Sequence, residues 1–290
     1  MKKILLFETK RCIKSKEFRA ACCIGLFIAL GHFITYCIGY LMLECGGVLS
    51  TDDIALLKKN PDTVLVYPAC LYEGFVGGEA YTFWNQIYMF SIPLLAALPF
   101  GSSYYSDNKN HYLKMIYVRV GKIRYLFANI MVTFLFGGVA TVFPYVLSFL
   151  LNGLYIPAIH PNEISMHSFI VDKMFLSEWY FDKPWLYFGA YFCILFIAGG
   201  AFSLISLLIS FPAKNKLLVL LFPFALNIVV DYIFLEIGLG DYSICRIINP
   251  MSAASKYSLN YHLVILLFLV CSVMMSLGFI IWEIRKKKIC

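Results

Sequence analysis

Four polar or ionisable side chains lie inside apolar runs that are long enough to cross a membrane. They are His32 in one run and Asn227, Asp231 and Glu236 in another. Ionisable groups at membrane depth are costly, and those that occur often mark a path for protons or cations. No acid or base accompanies His32, and Asp231 and Glu236 are five positions apart, so they do not share a helical face. These four residues are the candidates for an intramembrane polar site.

The sequence lacks the motifs that carry most hydrolytic, nucleotide and metal chemistry. It contains no GxxxxGK[ST] phosphate loop, no GxSxG nucleophile elbow and no HExxH zinc motif. We therefore expect no catalytic residue, bound cofactor or metal ligand in this chain. Cys45 and Cys70 fall in one predicted outside loop, where they could form a disulfide or remain two free thiols.

The composition indicates a membrane protein. Of the 290 residues, 61% are hydrophobic and 14% are charged, and the mean hydropathy is +0.77. A soluble domain has about 25% charged residues, so a multi-pass membrane protein is the class that fits. The net charge of +7 would also suit nucleic acid. Its distribution follows membrane orientation instead, so we expect lipid and no nucleic acid as a partner.

The apolar runs predict an all-α, polytopic membrane protein with six transmembrane helices. A helix needs about 20 apolar residues to cross the hydrocarbon layer. The predicted spans lie near residues 20–43, 83–100, 126–151, 185–211, 217–236 and 261–282, within a transmembrane domain of 20–283. Residues 1–19 alternate basic and apolar side chains, which favours an amphipathic helix in the headgroup layer. Residues 284–290 form a basic tail.

The positive charge is unevenly divided between the two sides that six spans define. Most of the 24 Lys and Arg residues lie in 1–19, 101–125, 212–216 and 284–290, which all fall on the side of the termini. An excess of Lys and Arg marks the cytoplasmic side. We therefore predict a plasma-membrane protein with both termini and the 101–125 segment in the cytoplasm.

The segment 101–125, between the second and third predicted spans, carries five basic residues and the single acid Asp107. Together with the proline-bearing end of span two, this segment resembles the six-helix permease subunit of ABC transporters of the ABC-2 type. The residues that carry the resemblance are Ile92-Pro93, Leu98-Pro99-Phe100, Asp107-Asn108-Lys109-Asn110, Leu113-Lys114 and Arg119 to Tyr125. Asn110-His111 stands where that family typically has Gly-Thr.

The resemblance implies a short cytoplasmic coupling helix that docks on a separate ATPase subunit. Its docking residues would be Asp107, Lys109, Tyr112, Leu113, Lys114, Met115 and Ile116. Two ATPase subunits would hold the ATP and Mg²⁺, so this chain would not itself be an enzyme. A second permease copy or a homologue would complete an exporter of an amphipathic peptide, lipid or drug.

Two other functions remain open from the residues alone. An ion-coupled secondary transporter would use intramembrane charges such as Asp231 and Glu236 and would show an internal repeat, which is not evident here. A membrane sensor or assembly scaffold without transport would use the large outside loops at 44–82, 152–183 and 237–260.

Overall fold

The computed structural model describes residues 2–44, 70–77, 83–161 and 176–244, together with positions 248, 249, 268, 270, 273, 274 and 278. Every regular element in these residues is helical, which confirms the all-α class. The helices are α1 (Lys2–Lys14), α2 (Lys16–Glu44), α3 (Phe83–Ala97), α4 (Ser103–Lys109), α5 (Tyr112–Val120), α6 (Lys122–Asn152), α7 (Ser177–Asp182), α8 (Pro184–Ile209) and α9 (Lys216–Glu236), followed by a 3₁₀ turn at Gly240–Tyr242.

Four of these helices are long and apolar enough to cross a membrane. They are α2 over Lys16–Ile38, α6, α8 and α9, and they correspond to the predicted spans 20–43, 126–151, 185–211 and 217–236. The predicted sixth span and the basic tail fall largely or wholly outside the described residues, as does Cys45. The described part of the chain thus has four candidate membrane spans, which is compatible with a multi-pass membrane protein.

The predicted second span, 83–100, is shorter in the structure. Helix α3 continues through Pro93 but ends at Ala97, two residues before Pro99. Proline disfavours helical geometry in the residue before it, which accounts for this end. With 15 residues, α3 rises only about 22 Å, less than the ~30 Å of a hydrocarbon core.

Helix α1 packs against the protein along one face. Ile4, Glu8 and Cys12 are buried and recur every fourth position, so they lie in one row. This row faces α6 and the turn after α3, where the Cys12 thiol lies 3.9 Å from the Pro99 carbonyl oxygen. At the start of α2 the Ser15 hydroxyl accepts a hydrogen bond from the Phe18 amide at 3.0 Å, a side-chain cap that separates the two helices.

Helices α6 and α8 form the most extensive contact in the bundle. Small residues on both helices let the two backbones approach closely. A Cβ atom added at Gly137 would lie 2.4 Å from the Ser203 side chain, and one at Gly199 would lie 2.1 Å from Thr141 Oγ1. The Ser203 hydroxyl donates to the Thr133 carbonyl across this interface at 2.9 Å.

Three segments predicted to share one side of the membrane meet at one end of the bundle. Arg11 pairs with Asp107, and Lys216 pairs with Glu17. The Tyr105 hydroxyl donates to the Lys214 carbonyl at 2.9 Å. Segments 1–19, 101–125 and 212–216 are thus brought together by direct contacts.

The close α6–α8 approach predicts that Gly199→Ala destabilises the protein. Overpacking a tight site costs about 1–3 kcal/mol, because Thr141 must leave its hydrogen bonds to the backbone. We expect the midpoint of thermal unfolding of the detergent-solubilised chain to fall by several degrees. Gly189→Ala is the matched control, since Gly189 lies in the same helix with nothing within 4 Å of its added Cβ. Equal midpoints for the two variants would contradict the packing.

Candidate functional site

The segment between α3 and α6 forms two short helices rather than one. Helix α4 ends at Lys109 and α5 begins at Tyr112. His111 between them adopts the left-handed conformation with a φ of 58°, a region where His is several-fold enriched among non-glycine residues. Gly121, with a φ of 88°, then separates α5 from α6. The segment in which a coupling helix is predicted thus holds two helices: α4 carries Asp107 and Lys109, and α5 carries the other five predicted docking residues.

Asp107 lies inside the protein and binds Arg11 of the N-terminal helix. Its side chain is 5% exposed. Arg11 Nη1 donates to Asp107 Oδ2 at 2.8 Å, and Nη2 donates to Oδ1, so the pair is bidentate. The Tyr125 hydroxyl, at the start of α6, also donates to Oδ2. A single carboxylate thus connects α1, α4 and α6.

The Arg11 guanidinium is enclosed by aromatic rings as well as acids. Its central carbon lies 5.8 Å from the centre of the Phe100 ring and 5.3 Å from that of Tyr112. Nη1 also donates to Glu8 Oε2 at 3.2 Å. Guanidinium suits such a site because its planar fork matches a carboxylate while its faces stack on rings. Arg11 is therefore the centre of the cluster.

Glu8 is the second acid of the cluster and is completely buried. Burial raises the pKa of Glu8 from its usual 4.5 to about 7; Arg11 opposes this shift and the nearby Asp107 charge adds to it. Its Oε1 has no hydrogen-bond partner among the described residues. Arg11 thus pairs with two acids, and Glu8 is the one whose pKa lies near neutral pH.

Helix α5 has a buried face and an exposed face. Leu113 and Ile116 are each 6% exposed and join a core cluster with Ile4, Tyr104 and Leu207. Lys114, Met115, Val118 and Arg119 are exposed, with Val118 at 87%. The exposed residues recur at helical spacing, so they form one stripe.

This arrangement distributes the predicted docking residues over three environments. Lys109, Lys114 and Met115 are exposed, and Tyr112 is half-buried over Arg11. Asp107, Leu113 and Ile116 are buried within the chain. Docking of a partner by these residues stays a prediction. Of the seven, only the exposed Lys109, Lys114 and Met115 present their side chains fully to solvent, where a partner would contact them.

Glu8 and Arg11 were not among the residues singled out from the sequence, and Tyr125 was named only as the end of the stretch that carries the resemblance. Glu8 carries one local signal, because an acid aligned with Ile4 and Cys12 on the apolar face of a helix needs a buried partner. The partner itself, Asp107, is 96 positions from Arg11 along the chain. No spacing rule connects residues so far apart.

The intramembrane polar candidates do not converge on one site in the described structure. Asp231 accepts a hydrogen bond from the Ser243 hydroxyl, and Glu236 is exposed at the last position of α9. Asn227 is half-buried in the same helix. His32 lies in the middle of α2, fully buried, against the last turns of α6.

His32 belongs to a polar cluster that connects α2, α6 and the segment 70–77. Its Nδ1 lies 3.3 Å from Ser148 Oγ and 3.5 Å from Asn152 Nδ2. The Ser148 hydroxyl also accepts the Val76 amide at 3.1 Å, and the His32 ring stacks on Tyr36 with ring centres 5.7 Å apart. These contacts fasten the segment 70–77 to the bundle.

The described residues include one of the two cysteines of the predicted disulfide and most of the histidines that could bind a metal ion. The described residues contain no group of three His, Cys, Asp or Glu side chains placed to hold a metal ion. Cys70 is a buried free thiol, and Cys45 lies outside the described residues.

The described residues form an all-helical bundle in which four helices are long and apolar enough to cross a membrane, which is compatible with a multi-pass membrane protein. Comparison with protein-family models gives no match, and neither the curated proteins nor the solved structures give one. The helical fold and the four candidate spans are therefore the observations that indicate the class of this protein.

The bidentate pair predicts that Arg11→Met destabilises the protein strongly. Removing one partner leaves a buried carboxylate uncompensated, which costs about 3–5 kcal/mol. We expect a large fall in the midpoint of thermal unfolding, and we expect Arg11→Met combined with Asp107→Asn to recover part of it. Lys10→Met is the control, because Lys10 is an exposed neighbour that loses the same charge. A double variant as unstable as Arg11→Met would contradict the assigned pair.

The raised pKa of Glu8 predicts a specific dependence of stability on pH. Between about pH 4.5 and 7 the folded state binds more protons at Glu8 than the unfolded state, so stability falls as the pH rises through this window. Glu8→Gln removes that contribution and should flatten the dependence measured by thermal unfolding. Glu236→Gln, at an exposed position, should leave the slope of the parent chain. An unchanged slope in Glu8→Gln would refute the assignment.

Proposed function

We propose that this chain is the transmembrane permease subunit of an ATP-driven ABC exporter of the ABC-2 type. It would pair with a second copy or a homologue, and a separate ATPase subunit, present twice, would bind ATP and Mg²⁺. The cargo would be an amphipathic peptide, lipid or drug. The observation that supports this proposal best is the pair α4–α5, which is exposed on one face and bound to the bundle on the other.

A membrane domain driven by another protein needs a rigid element through which motion can pass. Helix α5 meets this need, because Leu113 and Ile116 pack it onto α1 and α6 while Lys114 and Val118 remain exposed. Asp107 fixes the adjoining α4 to α1 through Arg11. A displacement of the exposed face would therefore move α1 and the first turn of α6 together.

The sequence gives a second reason to propose a separate ATPase subunit. It contains no phosphate-binding loop of its own, so ATP-driven transport would require a partner. An ion-coupled transporter is less well supported, since Asp231 is bonded to Ser243 and Glu236 lies at the exposed end of α9.

The proposal predicts that changes on the exposed face of α5 release the ATPase. The experiment co-expresses the tagged chain with an ATPase encoded beside its gene and measures the ATPase retained on purification. Lys114→Glu combined with Val118→Asp places two acids on the exposed stripe. We expect about tenfold weaker association, equivalent to ~1.4 kcal/mol.

The matched control is Lys10→Glu combined with Ile13→Asp, on the exposed face of α1 at the same end of the bundle. It makes the same charge changes away from α5 and should retain the ATPase. Leu113→Asp is unsuitable, because Leu113 is a core residue and its loss would act through folding. No co-purified ATPase with the parent chain, or equal loss from both double variants, would refute docking at α5.

A further inference from the structure

A cavity of about 380 Å³ lies between α1, α5 and the first turn of α6. Its apolar lining includes Ile4 and Phe7 from α1 and Met115 and Ile116 from α5. Three cations complete the lining: Lys3, Arg119 and Arg124, one from each helix. The cavity therefore combines an apolar floor with positive charge from three separate elements.

These three cations have no acidic partner in the part of the chain that the structure describes. In the described part of the chain, Glu8 and Asp107 form ion pairs with Arg11, and Glu17 forms an ion pair with Lys216. Lys3, Arg119 and Arg124 form no ion pair with a described acid, and no acidic side chain lines the cavity. An anion from outside the described residues would therefore complement the charge of this site.

The surface next to the cavity indicates which kind of molecule carries the anionic group. Arg124, Phe127, Met131 and Leu135 are exposed and follow one another at spacings of three and four along α6. They form a single stripe that begins at the cavity and ascends a helix long and apolar enough to cross a membrane. From Arg124 to Leu135 the helix rises about 16 Å, a distance comparable with an extended acyl chain.

We propose that this cavity binds one anionic phospholipid. Its phosphate lies among Lys3, Arg119 and Arg124, where arginine can donate two parallel hydrogen bonds to phosphate oxygens. An acyl chain lies along Phe127, Met131 and Leu135. The half-exposed Phe7 at the cavity continues this apolar surface onto α1.

A lipid fits the surroundings better than a protein partner. The stripe on α6 lies in a candidate membrane span, where acyl chains and not soluble proteins are found. On α5 the cavity side carries Met115 and Arg119, whereas Lys114 and Val118 lie toward the other edge of the exposed stripe. Of the exposed residues predicted to dock a partner, Met115 also lines the cavity, whereas Lys109 and Lys114 lie outside it. The lipid site does not depend on the proposed transport function.

The test is native mass spectrometry of the full chain in detergent with phosphatidylglycerol or phosphatidylcholine of identical acyl chains. The parent chain should retain one phosphatidylglycerol in clear preference to phosphatidylcholine. Arg119→Gln combined with Arg124→Gln should weaken phosphatidylglycerol binding about tenfold. Lys10→Gln combined with Lys14→Gln removes two exposed cations outside the cavity and should leave binding unchanged. Unfolding midpoints measured without lipid should agree among the three proteins.

Several results would overturn the proposal. Equal retention of the two lipids by the parent chain, or equal loss from both double variants, would show that no specific headgroup site exists. Displacement of phosphatidylglycerol by millimolar inorganic phosphate would indicate a site for the free anion instead. Unchanged phosphatidylglycerol binding in Arg119→Gln/Arg124→Gln, with loss only of a co-purified ATPase, would assign the cavity to a protein partner.

Discussion

The ion pair between Arg11 and Asp107 is the interaction on which this end of the molecule depends. Transferring two charges from water to a protein interior costs several kcal/mol per ion, and the attraction between them offsets this only with good geometry and further hydrogen bonds. Both conditions hold here, because the pair is bidentate and Asp107 also accepts from Tyr125. Such a pair adds little net stability over an apolar core. Its consequence is positional, since α1, α4 and α6 can meet in only one register.

The rest of the bundle is held by a different kind of contact. Between α6 and α8, Gly137 and Gly199 bring backbones close, and the hydroxyls of Thr141 and Ser203 donate to carbonyls of the facing helix. In a membrane, packing and hydrogen bonds replace the hydrophobic effect as the force between helices. The charged cluster thus holds one end of the bundle, and the small-residue interface holds the middle of the candidate spans α6 and α8.

The sequence predicted those features that depend on local pattern. Spans near 126–151 and 185–211 appear as α6 and α8 within a few residues, because the length of an apolar run sets the length of a membrane helix. The extent of α3 was overestimated, since Pro99 ends it early. The Arg11–Asp107 pair was missed because it joins residues 96 positions apart. The burial of Leu113 was missed for the same reason, because the core cluster that it joins includes Ile4 of α1 and Leu207 of α8, both more than 90 positions away along the chain.

The two proposed sites are connected through the core of α5. Leu113 and Ile116 occupy one side of this helix and fix its rotation against α1 and α6. Once that rotation is fixed, the helical period places Lys114 and Val118 toward one edge of the exposed stripe and Met115 and Arg119 toward the other. A partner bound at the first edge and a lipid bound at the second would act on one rigid element. Because Ile4 of α1 lines the lipid cavity and also packs in that core, occupancy of the cavity would resist any displacement of α5 relative to α1.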